Sequence, residues 1–289
     1  MEDDLRKALA STVGEGVASS SRVHGGDVAR SYRIELAGGR ILFAKTHPAP
    51  PPGFFSTEAA GLSWLREAAG DVGVPEVVAV SDEDPTFLVL EWIDEGRLAP
   101  TSDASLGAGL AALHRAGAPS FGRADRRSTG SRGLPNEPCA TWSEFYATNR
   151  LLPLARLARE ADAIPGAAIE AMERLAGRLD DVGGAEEPPA RLHGDLWSGN
   201  RLIGSDGANW LIDPAAHGGH REFDLAMMRL FGGFGADCFE AYEAAWPLSD
   251  GWAARIPLHQ IAPLVVHAIK FGGAYVAAAE RAIERAVRM

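Results

Sequence analysis

The stretch Leu192-His193-Gly194-Asp195-Leu196-Trp197-Ser198-Gly199-Asn200, followed after a short interval by Leu211-Ile212-Asp213-Pro214, constrains this chain more than any other feature. Asn200 and Asp213 offer hard oxygen donors of the kind Mg²⁺ takes, usually one or two from protein with phosphate and water supplying the rest. Between them, Arg201-Leu202-Ile203 and Asn209-Trp210-Leu211-Ile212 read as two short strands joined by Gly204-Ser205-Asp206-Gly207-Ala208, a turn rich in residues that tolerate positive φ. Such a hairpin is expected to carry Asp213 back beside Asn200. Asp195, Asn200 and Asp213 sit among Leu192, Leu196, Trp197, Ile203, Leu211 and Ile212. Polar groups in that company are costly to desolvate unless a cation or strong hydrogen bonds match them.

An Asp, an Asn five positions on, and a second Asp after an apolar hairpin is the order in which protein-kinase-like phosphotransferases place base, first metal ligand and second metal ligand. The expectation is ATP-dependent phosphoryl transfer with ATP and Mg²⁺ as cofactors, Asp195 as base, and Asn200 and Asp213 on the metal. His193 is expected to brace the loop backbone rather than move protons.

At 289 residues, with 46% hydrophobic and 23% charged residues, the chain is long enough for one large domain or for two lobes sharing a cleft. A formal charge of -11 argues against a nucleic-acid surface and against an anionic membrane. The start, Met-Glu-Asp-Asp-Leu-Arg-Lys, lacks the pattern of a secretory signal, and the apolar stretch from Ile261 to Ala279 is interrupted by His267, Lys270 and paired glycines. Cys139 and Cys238 suggest neither a disulfide framework nor a zinc site. The cytoplasm is the expected compartment.

Along the chain, a short helix over residues 3–10 precedes strands at Val17 to Val23, Val28 to Leu36 and Arg40 to Lys45. His24-Gly25-Gly26-Asp27 forms the first turn. By position, Gly25 and Gly26 are candidates to fold over phosphates through backbone N–H groups, though a plain hairpin turn has the same composition. Lys45 ends its strand in the manner of the kinase lysine that meets the α- and β-phosphates. A strand-end lysine is ordinarily solvated, so a partner decides. In the helix from about Ser56 to Ala69, Glu58 recurs with Leu62, Leu65 and Ala69 on one face, and a carboxylate in that buried row needs a counter-charge. Lys45 is its natural counter-charge.

Val77 to Val80 and Thr86 to Leu90 complete a five-stranded sheet. Glu91-Trp92-Ile93 then stands where a two-lobed kinase crosses between lobes, and its backbone is expected to hydrogen-bond adenine. Residues 1–93 are therefore expected to form a nucleotide-binding N-lobe, an antiparallel sheet with one pairing helix. Residues 94–289 are expected to form a larger, mainly helical C-lobe, so the fold class is α+β, two-lobed and protein-kinase-like. In that second part Leu106, Leu110 and Leu113 make a helical stripe, and His114 reads as packing. The loop 119–140, with Arg123, Arg126, Arg127 and Arg132, reads as solvated. Asp224 is placed to accept backbone N–H groups from the catalytic loop.

Taken together, His193 to Asn200, Ile212-Asp213-Pro214-Ala215, Gly219-His220-Arg221-Glu222 with Asp224-Leu225-Ala226-Met227, and Leu230-Phe231-Gly232-Gly233-Phe234 resemble the fructosamine kinase (ketosamine-3-kinase) family. The likeness extends from Gly25-Gly26 and Lys45 to Lys270-Phe271-Gly272-Gly273. It implies phosphorylation of the 3-hydroxyl of a ketoamine sugar, with glycated amines or glycated proteins as substrate and release of the amine. It implies Asp195 as the base on the sugar hydroxyl, Asn200 and Asp213 as Mg²⁺ ligands, Lys45 on phosphates and Glu58 holding Lys45. His220, Arg221 and Glu222 are expected at the substrate. The Trp197 indole either packs beneath the loop or stacks on the apolar face of the ketose. The chain departs from the family's usual pattern at His217-Gly218, where an aromatic pair is common, and at Asp27. No nucleic acid or membrane partner is implied, and either a monomer or a dimer is compatible. Other readings stay open: a phosphotransferase for aminoglycosides, choline-like alcohols or free sugars shares every ATP-side residue, whereas a silent kinase-like binding module is expected to have lost one of the three polar residues.

Overall fold

The computed structural model describes residues 1–23, 29–125, 128–129, 133–184 and 186–289. Contacts divide the chain into two compact units, one of residues 1–102 with 201–214, the other of residues 103–200 with 215–289.

In the first unit, α1 (Asp3–Val13) leads into β1 (Val17–Val23), β2 (Arg30–Leu36) and β3 (Ile41–Thr46). After α2 (Phe54–Arg66) come β4 (Val77–Ser81) and β5 (Phe87–Glu91). The strands form one antiparallel sheet in the order β1-β2-β3-β5-β4. Alternation along β3 does the sorting, because successive side chains point to opposite faces. Leu42 and Ala44 join Leu5 and Leu9 of α1, Ile34, Leu36 and Val89 in one apolar layer. Lys45 lies on the other face, opposite Leu88 of β5, and meets α2 there. Helix α1 ends where Gly14 takes φ 76, the left-handed conformation that suits glycine after a helix.

The hairpin Arg201–Ile203 with Asn209–Leu211 has the predicted antiparallel register. It belongs to the first unit because its edges are hydrogen-bonded there: Gly73 N–H donates to Asn209 O, Gly96 N–H to Ile203 O and Ser205 N–H to Asp94 O. Gly96 permits this approach, since a Cβ there would meet the Gly204 carbonyl.

The second unit is mainly helical, with α3 (Ser102–Arg115), α4 (Trp142–Tyr146) continuing through a π segment (Ala147–Leu151) into α5 (Leu152–Glu160), then α6 (Gly166–Ala176) and α7 (Leu179–Val182). Later come α8 (Glu222–Phe231), α9 (Ala236–Ala245), α10 (Trp252–Phe271) and α11 (Ala274–Val287). Its core gathers Phe145, Leu151, Leu154, Met172, Leu192, Ile261, Val265 and Ile283. The short strands Ala190–Leu192 and His217–Gly219 pair antiparallel and bracket residues 193–216. Among the described residues, no helix is long and apolar enough to cross a membrane. Both cysteines are free thiols.

Candidate functional site

In the first unit Lys45 is buried, and its Nζ donates to Glu58 Oε1 at 2.7 Å and to Asp213 Oδ1. Strand alternation puts the ammonium on the α2 face, and Glu58 occupies the turn of α2 that reaches it. Burial opposes the charge on Lys45, but Glu58 and Asp213 outweigh it and hold the ammonium above its ordinary range. Burial drives the Glu58 carboxyl upward against the pull of Lys45. With donor and acceptor at 2.7 Å, we assign the pair as ionic, one ammonium shared by two carboxylates. Asp213 sits at φ 54, a left-handed conformation that few non-glycine residues adopt, and its side chain is 37% exposed. A short polar residue held in a sparsely populated conformation, with part of its carboxylate reachable from solvent, is the sort of strain that clusters at functional sites.

The sequence reading paired Lys45 with Glu58 and did not anticipate Asp213, whose carboxylate comes from a residue 168 positions away. Glu91, Trp92 and Ile93 stand where the chain leaves β5. The Glu91 carboxylate accepts from Glu76 N–H at 2.7 Å and from Arg66 at 3.2 Å, and the Trp92 indole N–H donates to Asp94 at 2.9 Å. Gly25, Gly26 and Asp27 lie outside the described residues, as do Arg126, Arg127 and Arg132. Arg123, expected in a solvated loop, is buried and grips Asp125 through two nitrogens.

In the second unit the loop 193–200 hangs on one buried carboxylate. Asp224, on the first turn of α8, accepts from His193 N–H at 2.7 Å and from Gly194 N–H at 2.9 Å. His114 Nε2 reaches Asp224 at 3.2 Å, while its Nδ1 lies 2.8 Å from the Tyr242 hydroxyl. His114 is thus packing with a specific polar task, invisible locally because its partner stands 110 residues away. Burial alone would raise the Asp224 carboxyl; the His114 hydrogen bond and charge, with the loop N–H groups, bring it below the usual carboxylate range. Gly194 takes φ 79, and a Cβ there would strike the Ala215 carbonyl, so only glycine lets the loop turn at this point. His193 is buried and accepts from Asp195 N–H through Nδ1, the bracing role expected of it. Asn200 is buried and donates through Nδ2 to Asp195 O at 2.8 Å and to Asp195 Oδ2 at 3.3 Å, which fixes the Asp195 carboxylate at a half-buried position. Trp197 is 41% exposed; its indole lies against Gly199 and meets the Phe231 ring at 6.3 Å.

His220, Arg221 and Glu222 are buried, and their charges are met from within the second unit. Arg221 forks onto Glu187 at 2.6 and 2.7 Å and lies 4.0 Å from the centroid of the Trp246 ring. Glu222 takes Arg255 at 2.6 and 2.9 Å and His259 at 3.2 Å, while His220 stacks on His259. Despite burial, His259 and Arg255 hold the Glu222 carboxyl well below the usual carboxylate range. Arg221 and Glu222 thus spend their charges on ionic partners inside this unit and brace α8 and α10, while the His220 ring packs on His259 and Trp142. Arg255 and His259, four apart, share one face of α10, but helical spacing does not name a partner 33 residues away.

His217, where the chain departs from the family's aromatic pair, still packs as an aromatic, stacked on Phe145 at 5.4 Å with Nδ1–H donating to Ala215 O at 2.8 Å. Burial, with the Arg150 charge next, pushes its pKa down to about 3. The folded state therefore keeps His217 neutral where an unfolded chain, titrating near 6.5, takes a proton. Its contribution to stability is complete above about pH 6.5 and declines by roughly 1.4 kcal/mol per pH unit as pH falls toward 3. Urea unfolding at pH 7.5 and pH 5 should show this decline in the wild type and a flatter profile in His217→Phe. Equal slopes in the two proteins would contradict it. The Asp224 and Glu222 contributions are lost only below about pH 4.5, nearer the unfolded carboxylate values.

By residue type, the Asp213 carboxylate, held beside the Lys45 ammonium, and the Asn200 amide are each a hard oxygen donor of the kind a divalent cation takes. Asn200 and Asp213 fall in different units. An antiparallel five-stranded sheet bearing a buried Lys–Glu pair, a helical unit with a braced Asp–Asn loop, and a hairpin ending in Asp define the protein-kinase-like phosphotransferase fold. An aminoglycoside phosphotransferase mutant, solved with ADP and hygromycin B, superposes over 99% of this chain and 98% of its own with a TM-score of 0.65 at 14% identity, a likeness of fold alone. The chain belongs to the fructosamine kinase family, whose model matches residues 1–289. A probable ketoamine kinase of Enterococcus faecium is 35% identical over 264 residues, covering 91% of this chain and 93% of that protein. A Thermobifida fusca crystal structure with a provisional fructosamine-3-kinase name is 40% identical, with a TM-score of 0.92 over the full length of both chains.

Proposed function

We propose that the chain transfers the γ-phosphoryl group of ATP to the 3-hydroxyl of ketoamines, the adducts of a ketose with a lysine or other amine, and thereby promotes deglycation. The observation that carries this reading is the loop 193–200: a half-buried Asp195 braced through Asn200 stands two residues from an exposed indole in a chain of the fructosamine kinase family. Asp195 takes the proton from the attacking hydroxyl, and Trp197 supports the apolar face of the sugar. Lys45, held by Glu58, binds the α- and β-phosphates, and the backbone of Glu91 to Ile93 binds adenine. Gly25 and Gly26 keep the phosphate-turn role on sequence position alone. Asn200 and Asp213 would hold Mg²⁺, which when bound supplies neutralisation of phosphate charge. Lys45 also orients the Asp213 carboxylate through their ion pair. A relative of the same fold was solved with ADP, which supports the choice of nucleotide. The enzyme acts in the cytoplasm on glycated free amines or glycated protein side chains, as a monomer or dimer.

The test is ³¹P NMR of Mg-ATP with a fructose–lysine adduct, a ribulose–lysine adduct and an aminoglycoside. A new sugar-phosphate resonance with at least one ketoamine is expected, and its rate ranks the sugars. Transfer to the aminoglycoside alone would refute the substrate, and nucleotide binding without transfer would refute the activity.

A further inference from the structure

Trp197 is the first of a row of aromatic rings that continues away from the catalytic loop. Its indole meets Phe231 at 6.3 Å, Phe231 meets His267 at 5.1 Å, and His267 meets Phe271 at 5.6 Å and Tyr275 at 4.9 Å. The sequence builds this row from three helices. Phe231 ends α8, while His267 and Phe271, four apart on α10, share one helix face. Gly272 and Gly273, at φ 62 and 59, then reverse the chain so that Tyr275 on the first turn of α11 returns to the same rings. The paired glycines face open space, so their service is the turn itself. His267 Nδ1–H donates to Pro263 O at 2.7 Å, which fixes its ring within the row. Phe271 is 51% exposed, and Lys270 Nζ lies 5.5 Å from its centroid, so the outer end of the row carries a cation in a chain whose formal charge is -11.

Resting on the ketoamine reading, we propose that this row is the subsite for the amine carrier, and that its occupant is the lysine stem to which the sugar is attached. In a ketoamine the amine nitrogen sits on the carbon two bonds from the one bearing the reacting hydroxyl, so whatever holds the sugar at Trp197 delivers the amine beside it. A protonated amine followed by four methylenes is a cation and an apolar chain in sequence, and a line of aromatic faces matches both, the first by cation–π attraction and the second by burial. The lysine carboxylate then falls toward Lys270. Continuity with Trp197 and the cation at the far end select this occupant over a flat protein surface or a second sugar.

The experiment compares two adducts of fructose, one with methylamine and one with Nα-acetyl-lysine, on wild type, Phe271→Ala and Tyr275→Ala, with thermal melts to verify folding. Phe271 is exposed, so its removal leaves the core intact. The wild type should show the lower KM for the acetyl-lysine adduct. Each substitution should raise that KM about three- to tenfold at unchanged kcat, with less than about a twofold change for the methylamine adduct. Equal effects on both adducts, or none, would overturn the subsite while leaving the ketoamine reading in place. Failure of the wild type to phosphorylate either adduct would overturn both. Lys270→Ala gives a second check, raising KM for acetyl-lysine but not for its C-terminal amide; an equal rise for both would remove the carboxylate contact.

Discussion

Asp195→Asn is expected to lower kcat for phosphoryl transfer by about 10²–10⁴ while leaving KM for ATP and the melting temperature close to wild type. The substitution is isosteric. Its amide oxygen can still accept from Asn200 Nδ2, the contact that orients the side chain, and Leu196 remains buried beneath the loop. On the proposed mechanism, what disappears is the capacity to take a proton from the sugar hydroxyl as it attacks. The expected pattern, a fall in kcat and kcat/KM together, is that of an interaction made only in the transition state. A kcat within tenfold of wild type, with the loop intact, would remove Asp195 from the role of base. The reaction would then depend on positioning and charge neutralisation alone, as loose phosphoryl-transfer transition states permit.

The parts legible in the sequence were those whose partners obey a local period. Alternation in β3 put Lys45 on the face opposite Leu42 and Ala44, and the helical recurrence of Glu58 with Leu62 and Leu65 put a carboxylate in a buried row. Their ion pair followed from the cost of leaving either charge unmatched. The hairpin was legible because its turn residues are specific, and the His193 brace because a buried imidazole beside a glycine turn has few other uses. Apart from the Asp224 brace on His193 and Gly194, the contacts that join distant segments were not legible. No period links Lys45 to Asp213, His114 to Asp224, or Arg221 to Glu187. The ionic partners of Arg221 and Glu222 were hidden for a related reason. A run of polar residues in a recognisable motif looks the same in sequence whether it faces a ligand or its own ionic partners, and here Arg255, His259 and Glu187 are such partners. The aromatic row escaped notice because its rings come from three helices and a loop, each holding one or two.

Asp224→Ala is expected to destabilise the second unit by at least about 3 kcal/mol and to abolish transfer, although the residue touches neither nucleotide nor sugar in the proposed mechanism. The carboxylate is fully buried and receives His193 N–H, Gly194 N–H and His114. Removing it orphans two backbone donors at the point where Gly194 turns the loop, and no neighbouring side chain can follow because the space at Gly194 is closed by Ala215. Asp224→Asn separates stability from catalysis. One amide oxygen can replace one carboxylate oxygen, but the amide nitrogen presents its own hydrogens to a donor, so one loop N–H must lose its partner. About half the destabilisation should remain, together with a reduced kcat and an unchanged KM for ATP. The wild-type difference should vanish in acid, because a depressed carboxylate contributes stability above the unfolded value near 3.9 and loses it as pH falls through the folded one. Denaturant unfolding of the three proteins at pH 7 and in steps from pH 4 down to pH 2, paired with steady-state rates at pH 7, tests every part of this. If Asp224→Asn keeps wild-type kcat, the loop is held by its other contacts, and the carboxylate serves α8 and His114 rather than the base.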